Sequence, residues 1–98
     1  MNEEQIKSRQ SLFRVLFRKG VAEVILFLTS TEKARYTDIK KQKYVVGDRS
    51  LSRILKEVQK RGLVHREALP TYPVSTTYSL TEKGKIVVKY LQGLKEVL

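Results

Sequence analysis

A helical stripe that leads straight into two strand-like segments constrains this chain more than any other feature. Leu51, Ile54, Leu55 and Val58 recur at i, i+3, i+4 and i+7, the spacing that lines one face of an α-helix. Arg49, Ser50, Ser52, Arg53, Lys56, Glu57 and Lys60 fall off that stripe, so this helix has an apolar side to bury and a basic side left over. Gly47-Asp48 opens it, with Asp48 read as the N-cap and as an acid suited to the positive end of the helix, and Arg61-Gly62 ends it. Leu63 to Leu69 and Thr76 to Leu80 then read as strands, joined by a segment too long for a two-residue turn. Thr81 is placed to cap a last helix from about Glu82 to Val97.

The upstream half supplies the elements that a helix and hairpin need for a core. Ile6, Leu12, Phe13, Leu16 and Phe17 predict a helix over residues 5–18, with Lys19-Gly20 as its stop. Val21 to Ser30 reads as a buried helix, although its β-branched content also suits a strand. Ala34 to Tyr36 can form a short extended piece, after which Thr37 offers a side-chain oxygen to cap a short helix anchored by Ile39. Both prolines, Pro70 and Pro73, fall in the hairpin loop and interrupt no helix. The order is α, α, short β, α, α, β, β, α. Two helices joined through Tyr44 to Gly47 and followed by a hairpin make an α+β winged helix-turn-helix. With 98 residues and no visible repeat or linker, the chain reads as one domain, residues 1–98, with one modest core.

Charge narrows the function. The formal net charge is +10, and it is not evenly spread. Between Thr31 and Arg66 stand eleven Lys or Arg and four acids, giving 11 − 4 = +7 in about a third of the chain. A clustered excess of this kind is the footprint of a polyanion partner. The absence of cysteine excludes disulfides, thiolate metal sites and a cysteine nucleophile, and a single histidine, His65, cannot build a metal site. No Gly-rich phosphate loop or apolar carboxylate pair is present, so neither an enzyme nor a cofactor is expected. The longest apolar run, Val24 to Leu28, is too short to cross a bilayer, and the polar first ten residues are unlike a secretory signal; a cytoplasmic location is expected.

Several stretches resemble the HxlR-type transcriptional regulators, winged helix proteins of the broader MarR-like group. The match is carried by LSRILKEVQKRG, by Gly62-Leu63-Val64, by Pro73-Val74, by Tyr78-Ser79-Leu80-Thr81 and by Gly84; Arg35 to Ile39 (RYTDI) resembles the family's short strand leading into the motif. The likeness covers roughly residues 18–90. It implies a homodimeric DNA-binding regulator whose terminal helices build the dimer. Two features of the family are absent here: the N-terminal cysteine with which some members sense oxidants or aldehydes, and a tryptophan near Val21.

Candidate site residues follow from the motif. In helix-turn-helix proteins the N-terminal part of the second helix touches base edges, which places Arg49, Ser50, Ser52, Arg53 and Lys56 at the major groove. Arginine suits guanine because its forked donors meet O6 and N7 together. The preceding helix crosses the backbone, making Lys40, Lys41 and Lys43 phosphate partners, with Arg35 and Thr37 beside them. On the hairpin, Arg66 and Tyr72 are the candidates, although the tip lacks Lys and Arg. Phe13, Leu16 and Phe17 of the first helix and Val88, Leu91 and Leu94 of the last exceed what a small monomer can bury and form the expected dimer interface. The reading is a sequence-specific regulator of double-stranded DNA acting as a homodimer. Competing readings are an architectural protein that coats DNA without preference, and a winged helix used as a protein-docking module. RNA fits less well, because no aromatic pair is laid out on an open sheet.

Overall fold

The predicted stripe packs as its spacing requires. In the computed structural model, which describes residues 2–97, the helix Asp48–Lys60 (α4) buries Leu51, Ile54, Leu55 and Val58. They meet Ile39 of the short helix Tyr36–Lys41 (α3) and Val21, Val24 and Ile25 of the helix Val21–Phe27 (α2), forming one continuous core. Leu63, Val64 and Tyr78 close it from the sheet side, and Val15 of the helix Glu3–Leu16 (α1) from the other. The segment that also suited a strand is therefore helical: its apolar residues sit on more than one face because α1 and the helix Glu82–Val97 (α5) pack against it and it shares the core with the α4 stripe.

Among the described residues, three antiparallel strands complete the fold: Ala34–Arg35 (β1), Val64–Leu69 (β2) and Ser75–Leu80 (β3), in the order β1-β3-β2. The central strand pairs Tyr78 with both Ala34 and Arg66, so those three share one face of the sheet. Thr77 points to the other face and is buried, with its hydroxyl donating to the Glu67 carbonyl at 3.4 Å.

Helix ends differ from the sequence reading where a cap depends on tertiary partners. α1 starts earlier than expected, because the Asn2 side chain accepts from the Gln5 amide at 2.8 Å while the Gln5 side chain accepts from the Asn2 amide at 3.2 Å. It also ends sooner, at Leu16, and Gly20, at φ +87°, instead starts α2. α2 stops at Phe27; the Thr29 and Ser30 hydroxyls turn back to the Leu26 and Phe27 carbonyls at 2.6 and 2.7 Å. Thr37 is not the cap of α3. That helix begins at Tyr36, and the Asp38 carboxylate reaches back to accept from the Arg35 amide at 3.2 Å. Asp48 is likewise not a cap but the first helical residue, with Gly47 in the capping position at φ +86°. Thr81 caps α5 as its sequence implies, accepting from the Gly84 amide at 3.0 Å.

The start of α5 lies unusually close to the backbone. A Cβ on Gly84 would stand 2.0 Å from the Leu63 carbonyl oxygen, so only glycine lets the helix seat there. Beyond that contact α5 buries only Val88, and most of its length is exposed. No helix among the described residues is long and apolar enough to cross a membrane.

Candidate nucleic-acid interface

Burial of the α4 stripe decides which of its residues face outward. Arg49, Ser50, Arg53 and Lys56 are exposed, and Asp48, Arg49, Ser52, Arg53 and Lys56 line one open hollow along the outer side of the helix. Among the described residues Arg49, Arg53 and Lys56 have no ion-pair partner, so three cations are available to an external ligand. Ser52 is half-buried, its hydroxyl 3.4 Å from that of Tyr36, and so its position is set from inside the protein.

The hairpin brings Arg66 to the same side. Because Arg66 sits opposite Tyr78, it faces α4, and a second hollow is lined jointly by Tyr36, Ser52, Lys56, Arg66, Thr76 and Tyr78. Helix and wing thus form one concave basic surface. Tyr72 is fully exposed in the loop between β2 and β3 and lines neither hollow. Arg35 and Thr37 are exposed where β1 passes into α3, and Lys43 is exposed in the turn that follows α3. Lys41 lines a separate hollow with Phe27, Thr31, Lys33 and Asp38, and is not drawn into the α4 surface.

Lys40 has a partner that the sequence did not announce. Its ammonium lies 3.0 Å from one Asp48 carboxylate oxygen and 3.3 Å from the other, and the Tyr36 hydroxyl donates to the same carboxylate at 3.1 Å. The hydrogen bond from Lys40, followed by that from Tyr36, holds the Asp48 carboxyl below its ordinary value of 3.8, and the same bond to Asp48 raises Lys40. Both side chains are exposed, which keeps the stabilisation small. It is present at neutral pH and is lost as the pH falls through the lowered Asp48 value. An acid titration of stability should therefore show a small loss below about pH 4 that Asp48→Asn abolishes. The cluster clamps the end of α3 to the start of α4, and Tyr36 and Asp48 were missed as site residues because their contact spans twelve positions with no local pattern.

The residues expected at the dimer interface separate into three groups. Phe13, Phe17 and Leu94 are exposed, the two phenylalanines at 61% and 64% with their ring centroids 5.0 Å apart. Leu16 and Leu91 are half-buried against the core. Val88 is a correction: at 5% exposure it belongs to the chain's own core, packed from the α5 side, and is not available to a second copy.

A helix pair joined by a tight turn, with a three-stranded sheet whose hairpin flanks the second helix, defines a winged helix-turn-helix protein. The sequence matches the HxlR-like helix-turn-helix family over residues 18–98, and the chain belongs to that family. Among relatives, it is 36% identical over 73 residues to an HTH-type transcriptional regulator of Methanothermobacter thermautotrophicus, covering 74% of this chain and 56% of the relative. It thus spans little more than half the length of that protein. The HTH-type transcriptional regulator YvaP of Bacillus subtilis is 33% identical over 92 residues, covering 93% of this chain and 84% of the relative. The fold matches the reduced form of the transcriptional regulator YodB from B. subtilis with a TM-score of 0.79 at 26% identity, covering 98% of this chain and 89% of the other.

Proposed function

We propose that the chain is a sequence-specific regulator of transcription that binds double-stranded DNA as a homodimer. The observation that carries this reading is the concave basic surface: α4 presents Arg49, Ser50, Arg53 and Lys56 outward, with Arg66 of the wing beside them and no acidic partner on Arg49, Arg53 or Lys56 among the described residues. α4 enters the major groove with its first turns at the base edges. Lys43, Arg35, Thr37 and Arg66 contact phosphates, which position the protein without reading sequence directly. Lys40 takes part only by sharing its charge between Asp48 and a phosphate. Tyr72 at the wing tip makes a peripheral contact at most.

Exposed apolar residues on the terminal helices support the dimer. Phe13, Phe17 and Leu94 are joined on α1 and α5 by Ile6, Ile86 and Tyr90, more apolar surface than a small monomer exposes without use. A two-fold arrangement through these helices would set two copies of α4 about 34 Å apart, one DNA turn.

Selection of bound duplexes from a random pool tests both parts. An enriched inverted repeat with half-sites one turn apart is the expected result. A pool that remains random would reject sequence-specific reading and favour the architectural alternative. Affinity for the selected site should also fall about 10³- to 10⁵-fold between 50 and 200 mM salt, the response of six to ten neutralised phosphates. A flat salt titration would exclude DNA as the ligand of this surface.

A further inference from the structure

One acid is out of place on the basic face. Asp48 heads the row Asp48, Ser52, Lys56 and Lys60, spaced by four along α4, and lines the outer hollow with Arg49 and Arg53. The other acid in that hollow, Glu57, is half-buried and held by Arg61 at 3.2 Å. Asp48 differs: its side chain remains 61% exposed even though Tyr36 and Lys40 both bond it. Those two donors arrive from α3, fix the carboxylate in one orientation and leave acceptor capacity on its solvent side.

A fixed carboxylate at the head of a groove-binding helix repels phosphate. It also repels the acceptors O6 and N7 of guanine and O4 of thymine. The favourable partners in the major groove are amino donors, on cytosine N4 and adenine N6. Adenine sets its amino group beside the N7 acceptor, whereas cytosine presents its amino group alone on its own base edge. We propose that Asp48 is a specificity-determining residue that accepts a hydrogen bond from the N4 amino group of one cytosine in each half-site. The inference rests on the DNA-binding reading above and deepens it.

Selections with the wild type, Asp48→Ala and Asp48→Asn, followed by titrations on the enriched duplex, test the assignment. The wild type should enrich C·G at one position of the half-site. Asp48→Ala should lose the preference there and keep it elsewhere, while binding random duplex several-fold more tightly because a negative charge has gone. Asp48→Asn should move the preference toward adenine, whose N6 and N7 an amide meets together. Changing that C·G to T·A should weaken the wild type about tenfold and Asp48→Ala less than twofold. If Asp48→Ala keeps the same preference at every position and loses affinity evenly on all duplexes, the acid only braces α3 against α4 and the proposal is wrong. If the wild type itself enriches nothing, the DNA-reading function fails first and this inference with it, a result distinct from the even loss.

Discussion

Arg49→Ala combined with Arg53→Ala should weaken binding to the selected inverted repeat about 10²-fold or more, while binding to random duplex falls far less. The expectation follows from geometry. The buried stripe Leu51, Ile54, Leu55 and Val58 turns both arginines outward on the first two turns of α4, and neither is held by an acid among the described residues. A bidentate arginine–guanine contact is worth about 1–3 kcal/mol of discrimination, so two lost contacts give roughly 2–6 kcal/mol per protomer. Competition titrations at several salt concentrations separate the possible roles. Loss confined to the selected site with an unchanged salt slope identifies base contacts. Equal loss on every duplex, with the slope reduced by about one per arginine, would identify phosphate contacts instead. Unchanged binding on every duplex would remove both arginines from the DNA contact and overturn this assignment of the α4 face.

Gly84→Ala should destabilise the fold by about 2–4 kcal/mol, among the larger effects available to a single methyl group. The new Cβ would stand 2.0 Å from the Leu63 carbonyl oxygen, and that carbonyl already accepts from the Thr81 amide at 3.0 Å. Neither side of the contact is a flexible side chain, so α5 must shift as a unit. The Thr81 hydroxyl, which donates to the Gly62 carbonyl at 2.6 Å and caps α5, is anchored at the same junction. For a domain of this size the thermal midpoint should drop by roughly 8–30 °C. Gly93→Ala, nine positions further along the same helix, is the control: a Cβ there meets nothing within 4 Å, so the substitution should stabilise by up to about 1 kcal/mol through helix propensity. Thermal unfolding of the two variants reads the contrast directly. A Gly84→Ala protein as stable as the wild type would show that the close approach is not a constraint.

The fold was largely legible because its signals are local and periodic. The α4 stripe, the strand-like runs on either side of Pro70 and Pro73, and the capping Thr81 each lie within a few residues of what they organise. The cap assignments at Thr37 and Asp48 failed for a related reason. Any Thr or Asp near a helix start looks like a cap, and the position actually used depends on where Arg35 and Gly47 place the backbone. Among site residues, the outward face of α4 could be read by subtraction from the stripe. The loss of Lys40 as a free cation, the entry of Tyr36 into the site and the burial of Val88 could not, because each depends on contacts between elements.

Sequence alone determined the order of elements, the buried side of α4 and the sign of the charge on its other side. Periodicity and composition are properties of consecutive residues, and they survive without knowledge of the fold. Tertiary structure decided which charges remain available, which apolar residues of α5 are spent on the core, and where only glycine fits. Those outcomes turn on distances of a few ångströms between segments remote in the chain, such as Asp48 with Tyr36 and Gly84 with Leu63, and such distances exist only once the core has closed.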